Sequence, residues 1–240
     1  MQDFVQLWVY LSATPLFGLT VTLAVYLLAH AAYVRLGHAP WANPVPWSVA
    51  GLAGLLLASG TPYPTYFSGA QFIHFLLGPA VVAMAWPLWQ RREELRRRWG
   101  AILVAALVGG ATASLSAVAL GWALGLPRDL VASLATKSVT APVAMGIAEK
   151  IGGIPALAAV FAVLTGMIGA VGGKYLFDLI GVRPMVARGF ALGTCAHGLG
   201  AARALQVDAD AGAYASLALG VQVILASLLM PLVFQLFLGL

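Results

Sequence analysis

The feature that most restricts this chain is the spacing of its charges. The runs between Asp3 and Arg35, Arg35 and Arg91, Arg98 and Arg128, Lys150 and Lys174, and Asp210 and Leu240 contain no Asp, Glu, Lys or Arg. Each is long enough to cross a bilayer, which takes about 20 apolar residues as a helix. Apolar residues are continuous within the runs rather than alternating with a period of two, so helices are expected and barrel strands are not. Only 9% of residues are charged and 61% are hydrophobic, whereas a soluble domain carries about a quarter charged. The expected fold is an all-α, polytopic membrane protein of seven to eight apolar segments, with residues 1–240 forming one integral-membrane domain.

The net charge of +5 does not point to nucleic acid, because five of the thirteen basic residues sit in Arg91 to Arg98. That run is expected as a cytoplasmic loop under the positive-inside rule. The N-terminal residues Met1 to Asp3 lack a basic region and no Ala-x-Ala site follows, so the first helix is expected to be retained. The single Cys195 excludes an intrachain disulfide framework and a cysteine-cluster metal site. No metal and no cofactor are expected.

One stretch is out of character. Ala135 to Met145 carries Lys137, Thr136, Ser138, Thr140 and Pro142 within an otherwise apolar chain. Pro142 has no N–H and clashes with the preceding helical turn, which is expected to free carbonyls near Ser138 and Thr140. Irregular backbone at membrane depth persists only when buried in protein or lining a wet cavity. The stretch is therefore expected to be a broken helix at a polar site. Lys137 either snorkels to the interface or faces a cavity as a functional cation; its hydroxyl neighbours favour the second, with a small carboxylate as the fitting ligand.

The basic residues Lys174, Arg183 and Arg188 raise a question of topology. If every segment crosses, they fall outside. If residues 130–148 dip in and return at the break, they fall inside with Arg91 to Arg98, as the positive-inside rule prefers. Gly78-Pro79 is expected to break the third segment. The similarity of Leu77 to Met84 with Thr140 to Met145 suggests an inverted repeat, since paired proline-interrupted segments point to a transporter site.

A second cluster spans Arg188 to Arg203. Gly189 and Gly193 form a GxxxG face suited to close helix packing, and Gly166, Gly169 and Gly173 read as another. Thr194 and His197 are three apart and so on one face of a helix; His197 is either a packing histidine or a cavity group that donates a hydrogen bond or carries a proton. Gly78, Pro79, Pro142, Gly193 and Gly198 mark the expected helix breaks. Cys195 and His197 point to different faces, which argues against a nucleophile and base pair. No HExxH, GxSxG or GxxxxGK[ST] motif occurs, so an enzyme is not expected and no catalytic residue is assigned.

Lys137 to Met145, Ile151 to Leu157 and Ala187 to His197, with Phe75 to Ala80 and the Pro64 to Tyr66 turn, resemble the LrgB/CidB family of bacterial membrane proteins over nearly the whole chain. The family pattern commonly has Ser at the position of Cys195. The resemblance implies a multi-pass protein of the bacterial inner membrane and two functions. One is a carrier of small monocarboxylates such as glycolate, glycerate or pyruvate, similar to the domain of the plastid glycolate/glycerate translocator. The alternative is an antiholin-like regulator of murein hydrolase activity and autolysis, acting with an LrgA/CidA-type partner. A carrier makes use of a buried lysine, broken helices and a histidine, so it is the preferred reading: alternating access, with Lys137, Ser138, Thr140, Thr194 and His197 binding substrate and His197 open to proton coupling. A homodimer is expected because symmetric dimers are the commonest oligomer.

Overall fold

In the computed structural model, residues 15–76, 79, 83, 85–90 and 92–238 are described, and their regular structure is entirely helical. The chain divides into two compact units, Met1–Ala83 and Met84–Leu240.

The first unit contains α1 (Pro15–Arg35), a 3-10 turn (Pro40–Ala42), α2 (Pro44–Ser59) and α3 (Tyr63–Phe75). Pro44 opens α2, where a missing N–H costs nothing, and the Asn43 side chain accepts the Val45 N–H at 3.0 Å. Helix α1 approaches α3 closely at Gly18, where a Cβ would collide with the carbonyl of Tyr66. Thr22 and the Tyr66 hydroxyl share a 2.7 Å hydrogen bond beside it. Gly78 lies outside the described residues, and so do the break expected there and most of the Leu77 to Met84 half of the suggested repeat.

The second unit contains α4 (Ala85–Gln90), α5 (Arg92–Arg97), α6 (Trp99–Ala123), α7 (Arg128–Ala135), α8 (Ala141–Lys150), α9 (Pro155–Leu179), α10 (Met185–Val207) and α11 (Ala209–Leu238). The basic run expected as a loop is thus helical over Arg92–Arg97. Glu93 and Arg97 stand one turn apart, a pairing that favours a helix; Arg91 lies outside the described residues. Among the described residues four helices are long and apolar enough to span a membrane: α1, α6, α9 and α11. The other helices among the described residues are shorter or turn back.

Two segments of the second unit turn back. Ser133 of α7 receives a 2.8 Å hydrogen bond from the N–H of Ile154, 21 residues later. A straight helix would separate them by about 30 Å. The chain must therefore run down α7, turn through residues 136–140 and return along α8. Gly153 closes this hairpin, because a Cβ there would stand 2.9 Å from the Ser133 backbone nitrogen.

The second reversal is in α10. The sequence marks expected breaks at Gly193 and Gly198 in the segment from Gly189 to Leu205, and the break falls between them at His197, with φ 40° and ψ −133°. A Cβ on Gly200 would lie 2.5 Å from the carbonyl oxygen of Leu192. Eight residues of straight helix would put about 12 Å between them, so residues 198–207 fold back along residues 185–196. The first arm packs by small residues on both sides. Gly173, Gly169 and Gly166 of α9 meet Leu192, Ala196 and His197 in turn, which makes the two antiparallel. Gly189 and Gly193 meet Ala211 and Ala215, which makes the arm parallel to α11. Close backbone approach through glycine and alanine is how helices associate in lipid, where apolar burial offers little. The second unit therefore reads long helix, hairpin, long helix, hairpin, long helix.

Candidate functional site

The turn of the first hairpin is built from its own polar side chains. Helix α7 stops at Ala135, whose carbonyl accepts the Ser114 hydroxyl of α6 at 2.9 Å. Thr136, fully buried, donates to the carbonyl of Ser133 at 2.8 Å, and the Val139 N–H reaches the Thr136 carbonyl at 3.2 Å. The Thr140 carbonyl then accepts the Ala144 N–H at 2.8 Å as α8 begins. Pro142 falls in the opening turn of α8, where proline is favoured. This corrects the expectation that Pro142 disrupts a running helix; the break precedes it and is held by hydroxyls.

Lys137 occupies this turn. It is half-buried, and its Nζ donates to the Ser138 hydroxyl at 3.2 Å, with Ser138 only 4% exposed. Thr140 is the residue before α8 and is half-buried, and its side chain caps nothing.

His197 is the turn of the second hairpin. A φ of 40° at a residue with a Cβ stores about 1–3 kcal/mol of strain and persists only where surroundings impose it. Its side chain is 5% exposed, and Nε2 lies 2.7 Å from the carbonyl oxygen of Ala162 in α9. A carbonyl only accepts, so Nε2 carries the hydrogen and Nδ1 is left to accept or to take up a proton. The ring has room because residue 166 is glycine; a Cβ there would lie 2.7 Å from Cε1.

Thr194 does not share a face with His197, as their spacing of three residues in a helix would give. Its hydroxyl donates to the Phe190 carbonyl at 2.9 Å, and its methyl points at Gly109 of α6. Gly193 is a packing residue against Ala215 rather than part of the break, whereas Gly198 directly follows it. Cys195, to which the sequence assigns no role, is exposed. Lys137 of the first hairpin turn and Cys195 beside the second turn are within electrostatic range of each other. Ser114 and Ser133 escape sequence reasoning, since a serine in an apolar helix carries no signal of the carbonyl or N–H that it will meet 21 residues away.

The model of the LrgB-like family matches residues 22–236. The chain belongs to the LrgB-like family. A protein of Haemophilus influenzae is 35% identical over 185 residues, 77% of this chain and 80% of that one. The Bacillus subtilis protein YwbG is 35% identical over 202 residues, 84% of this chain and 89% of its own length. The holin-like protein CidB of Staphylococcus aureus is 27% identical over 237 residues, 99% of this chain and all of that protein. No solved structure matches the chain. Family membership and the four apolar helices together make this a membrane protein.

Proposed function

We propose that this LrgB-like protein is a carrier for small carboxylates, not an enzyme, with its site between the turns of the two hairpins. The observation that carries this reading is the pair of chain reversals, at residues 136–140 and at His197, with Lys137 of one near Cys195 of the other. If α6, α9 and α11 cross the bilayer, the first hairpin enters from one side and the second from the other, because α9 lies between them in the chain. Broken segments meeting at mid-depth from opposite sides are the arrangement through which secondary transporters bind substrate.

In this reading the Arg92–Arg97 helix and the loop holding Arg183 face the cytoplasm of a bacterial inner membrane. Both then lie on one side, as the positive-inside rule asks. Lys137 supplies counter-charge to the carboxylate and Ser138 and Thr140 hydrogen bonds. His197, with one ring nitrogen committed to Ala162, is the candidate for proton coupling. Alternating access would be withdrawal of one hairpin at a time.

The names of the Staphylococcus relatives favour a second reading, a holin-like or antiholin-like role exerted through a partner in the membrane. These names support that reading more directly than they support transport. Uptake of labelled glycolate and pyruvate into liposomes holding this chain alone, with and without a proton gradient, separates the two. Saturable uptake that is lost in Lys137→Gln is expected of the carrier. Absence of uptake alone and with an LrgA-type protein co-reconstituted, together with lysis phenotypes insensitive to Lys137→Gln, would instead establish the regulator.

A further inference from the structure

The basic helix α5 holds more than topology asks of it. The positive-inside rule needs arginines on one side of the membrane, in a loop of any form. Here they are folded into a helix and bracketed by tryptophans. Trp86 and Trp89 of α4 precede it and Trp99 of α6 follows it, each more than half exposed. Exposed tryptophan settles at the level of lipid headgroups, where its ring is part apolar and part polar.

The depth of α5 follows from what flanks it. Helix α6, long and apolar enough to span, begins at Trp99. Arg96, Arg97 and Arg98 stand no more than three residues before it, about 10 Å of extended chain. A headgroup layer is about 5–8 Å deep, so these side chains start within it or at its edge. At the other end α4 packs against α11, and Arg92 is folded back on α4. Its Nη1 donates to the Trp89 carbonyl at 3.1 Å, and its guanidinium carbon lies 4.8 Å from the centre of the Trp89 ring. Both ends of α5 are thus tied to helices of the unit, and Arg92, Arg96, Arg97 and Arg98 are all exposed between them.

We infer that α5 is a binding surface for the phosphate groups of anionic phospholipids, with Arg96 and Arg97 as its principal contacts. Charge is complementary, since Arg91 to Arg98 holds five arginines against two glutamates. Every cation of the run is arginine, whose planar guanidinium meets a phosphate through two parallel N–H···O bonds where lysine offers a point charge. A soluble phosphate could make the same bonds but would have no use for the flanking tryptophans, which set the arginines at the depth where lipid phosphates are concentrated. The inference is independent of what the hairpin site carries. It bears on that site through α6, because a lipid held at the start of α6 fixes the depth of the helix whose Ser114 binds the Ala135 carbonyl at the first hairpin turn.

The test uses the full chain purified in neutral detergent and titrated with fluorescent phosphatidylglycerol, with fluorescent phosphatidylcholine as the zwitterionic control. Phosphatidylglycerol is expected to bind roughly tenfold or more tightly than phosphatidylcholine, and Arg96→Gln with Arg97→Gln to remove most of that difference, at about fivefold for each arginine. Lys174→Gln with Arg183→Gln deletes the same charge elsewhere on the unit and is expected to leave the affinity unchanged. Arg96→Lys with Arg97→Lys keeps the charge without the paired bonds and is expected to fall between the glutamine pair and the unaltered chain. Where the glutamine pair does not fold, Arg97→Gln alone takes its place with about a fivefold loss. Equal affinity for the two lipids would overturn the inference, and so would equal losses in the two double glutamine variants, since the attraction would then be diffuse. Displacement of phosphatidylglycerol by inorganic phosphate, at an ionic strength matched with chloride, would overturn it in favour of a soluble anion.

Discussion

The His197 ring of the second hairpin donates through Nε2 to the carbonyl of Ala162, 35 positions earlier and 2.7 Å away. That bond ties the only described non-glycine break in a helix to the middle of a neighbouring span. His197 thereby both bears the backbone strain and helps to impose it. The two effects separate by substitution. His197→Ala keeps the unfavourable φ and loses the bond, and is expected to destabilise by about 1–3 kcal/mol. His197→Gly loses the same bond but relieves the strain, and is expected to recover about 1 kcal/mol relative to Ala. Thermal unfolding in detergent would show this order; an Ala variant at least as stable as Gly would mean that the backbone at 197 is not strained.

The glycines of α9 make a related prediction. Gly166→Ala places a methyl 2.7 Å from the His197 ring and 2.8 Å from the side chain of Leu199, both held by packing. Overpacking of this kind costs about 1–3 kcal/mol. At Gly172, in the same helix, a Cβ would meet nothing within 4 Å, so Gly172→Ala is expected to be neutral or to stabilise by up to about 1 kcal/mol through helix propensity. Comparing their unfolding temperatures checks the claim that α9 and the second hairpin meet through Gly166.

These relationships show how far the sequence can be read. The long helices follow from charge-free runs, because lipid leaves the backbone no alternative. The break near Lys137 is legible as a cluster of hydroxyls and a charge where none belongs. Its cause is misread, since Pro142 draws attention as a helix breaker and in fact begins the next helix. The break at His197 is marked only loosely, by Gly193 and Gly198 on either side of it, and the reversal of the chain beyond it is hidden. Nothing in Gly193 to Gly200 requires a reversal, and the run satisfies a small-residue helix pattern throughout. What folds it back is contact with Gly166 and Gly169 of α9 and with Ala215 of α11, and such contacts are not local in sequence. For the same reason the pairing of Thr194 with His197 fails, because the reversal divides the helix face that they would share.

Cys195 offers a direct readout of the proposed site. It is the one cysteine of the chain, it is exposed, and it lies within electrostatic range of Lys137. A thiol reagent therefore reports a single position without mutagenesis. Saturating glycolate or pyruvate is expected to slow labelling of Cys195 by N-ethylmaleimide severalfold, and Lys137→Gln to remove that protection. Unchanged labelling rates in both acids would separate Cys195 from any carboxylate site.

The hairpins finally make a prediction about sidedness that a chain of simple crossings does not share. Positions 125, 152 and 181 lie in the turns after α6, α8 and α9, and each is a glycine with positive φ, with open space around a Cβ at 125 and 181. If α7 and α8 formed one crossing, 125 and 152 would stand on opposite sides of the membrane and 181 would return to the side of 125. If the chain reverses at residues 136–140, as the hydrogen bond from Ile154 to Ser133 requires, then 125 and 152 share a side and 181 faces the other. Single cysteines at these positions in a Cys195→Ser background, labelled from outside intact cells with a membrane-impermeant thiol reagent, distinguish the two. Labelling at 125 and 152 but not at 181 is expected when the Arg92–Arg97 helix is cytoplasmic. Opposite behaviour of 125 and 152 would remove the first hairpin, and with it the meeting of two broken segments from opposite sides on which the carrier reading stands.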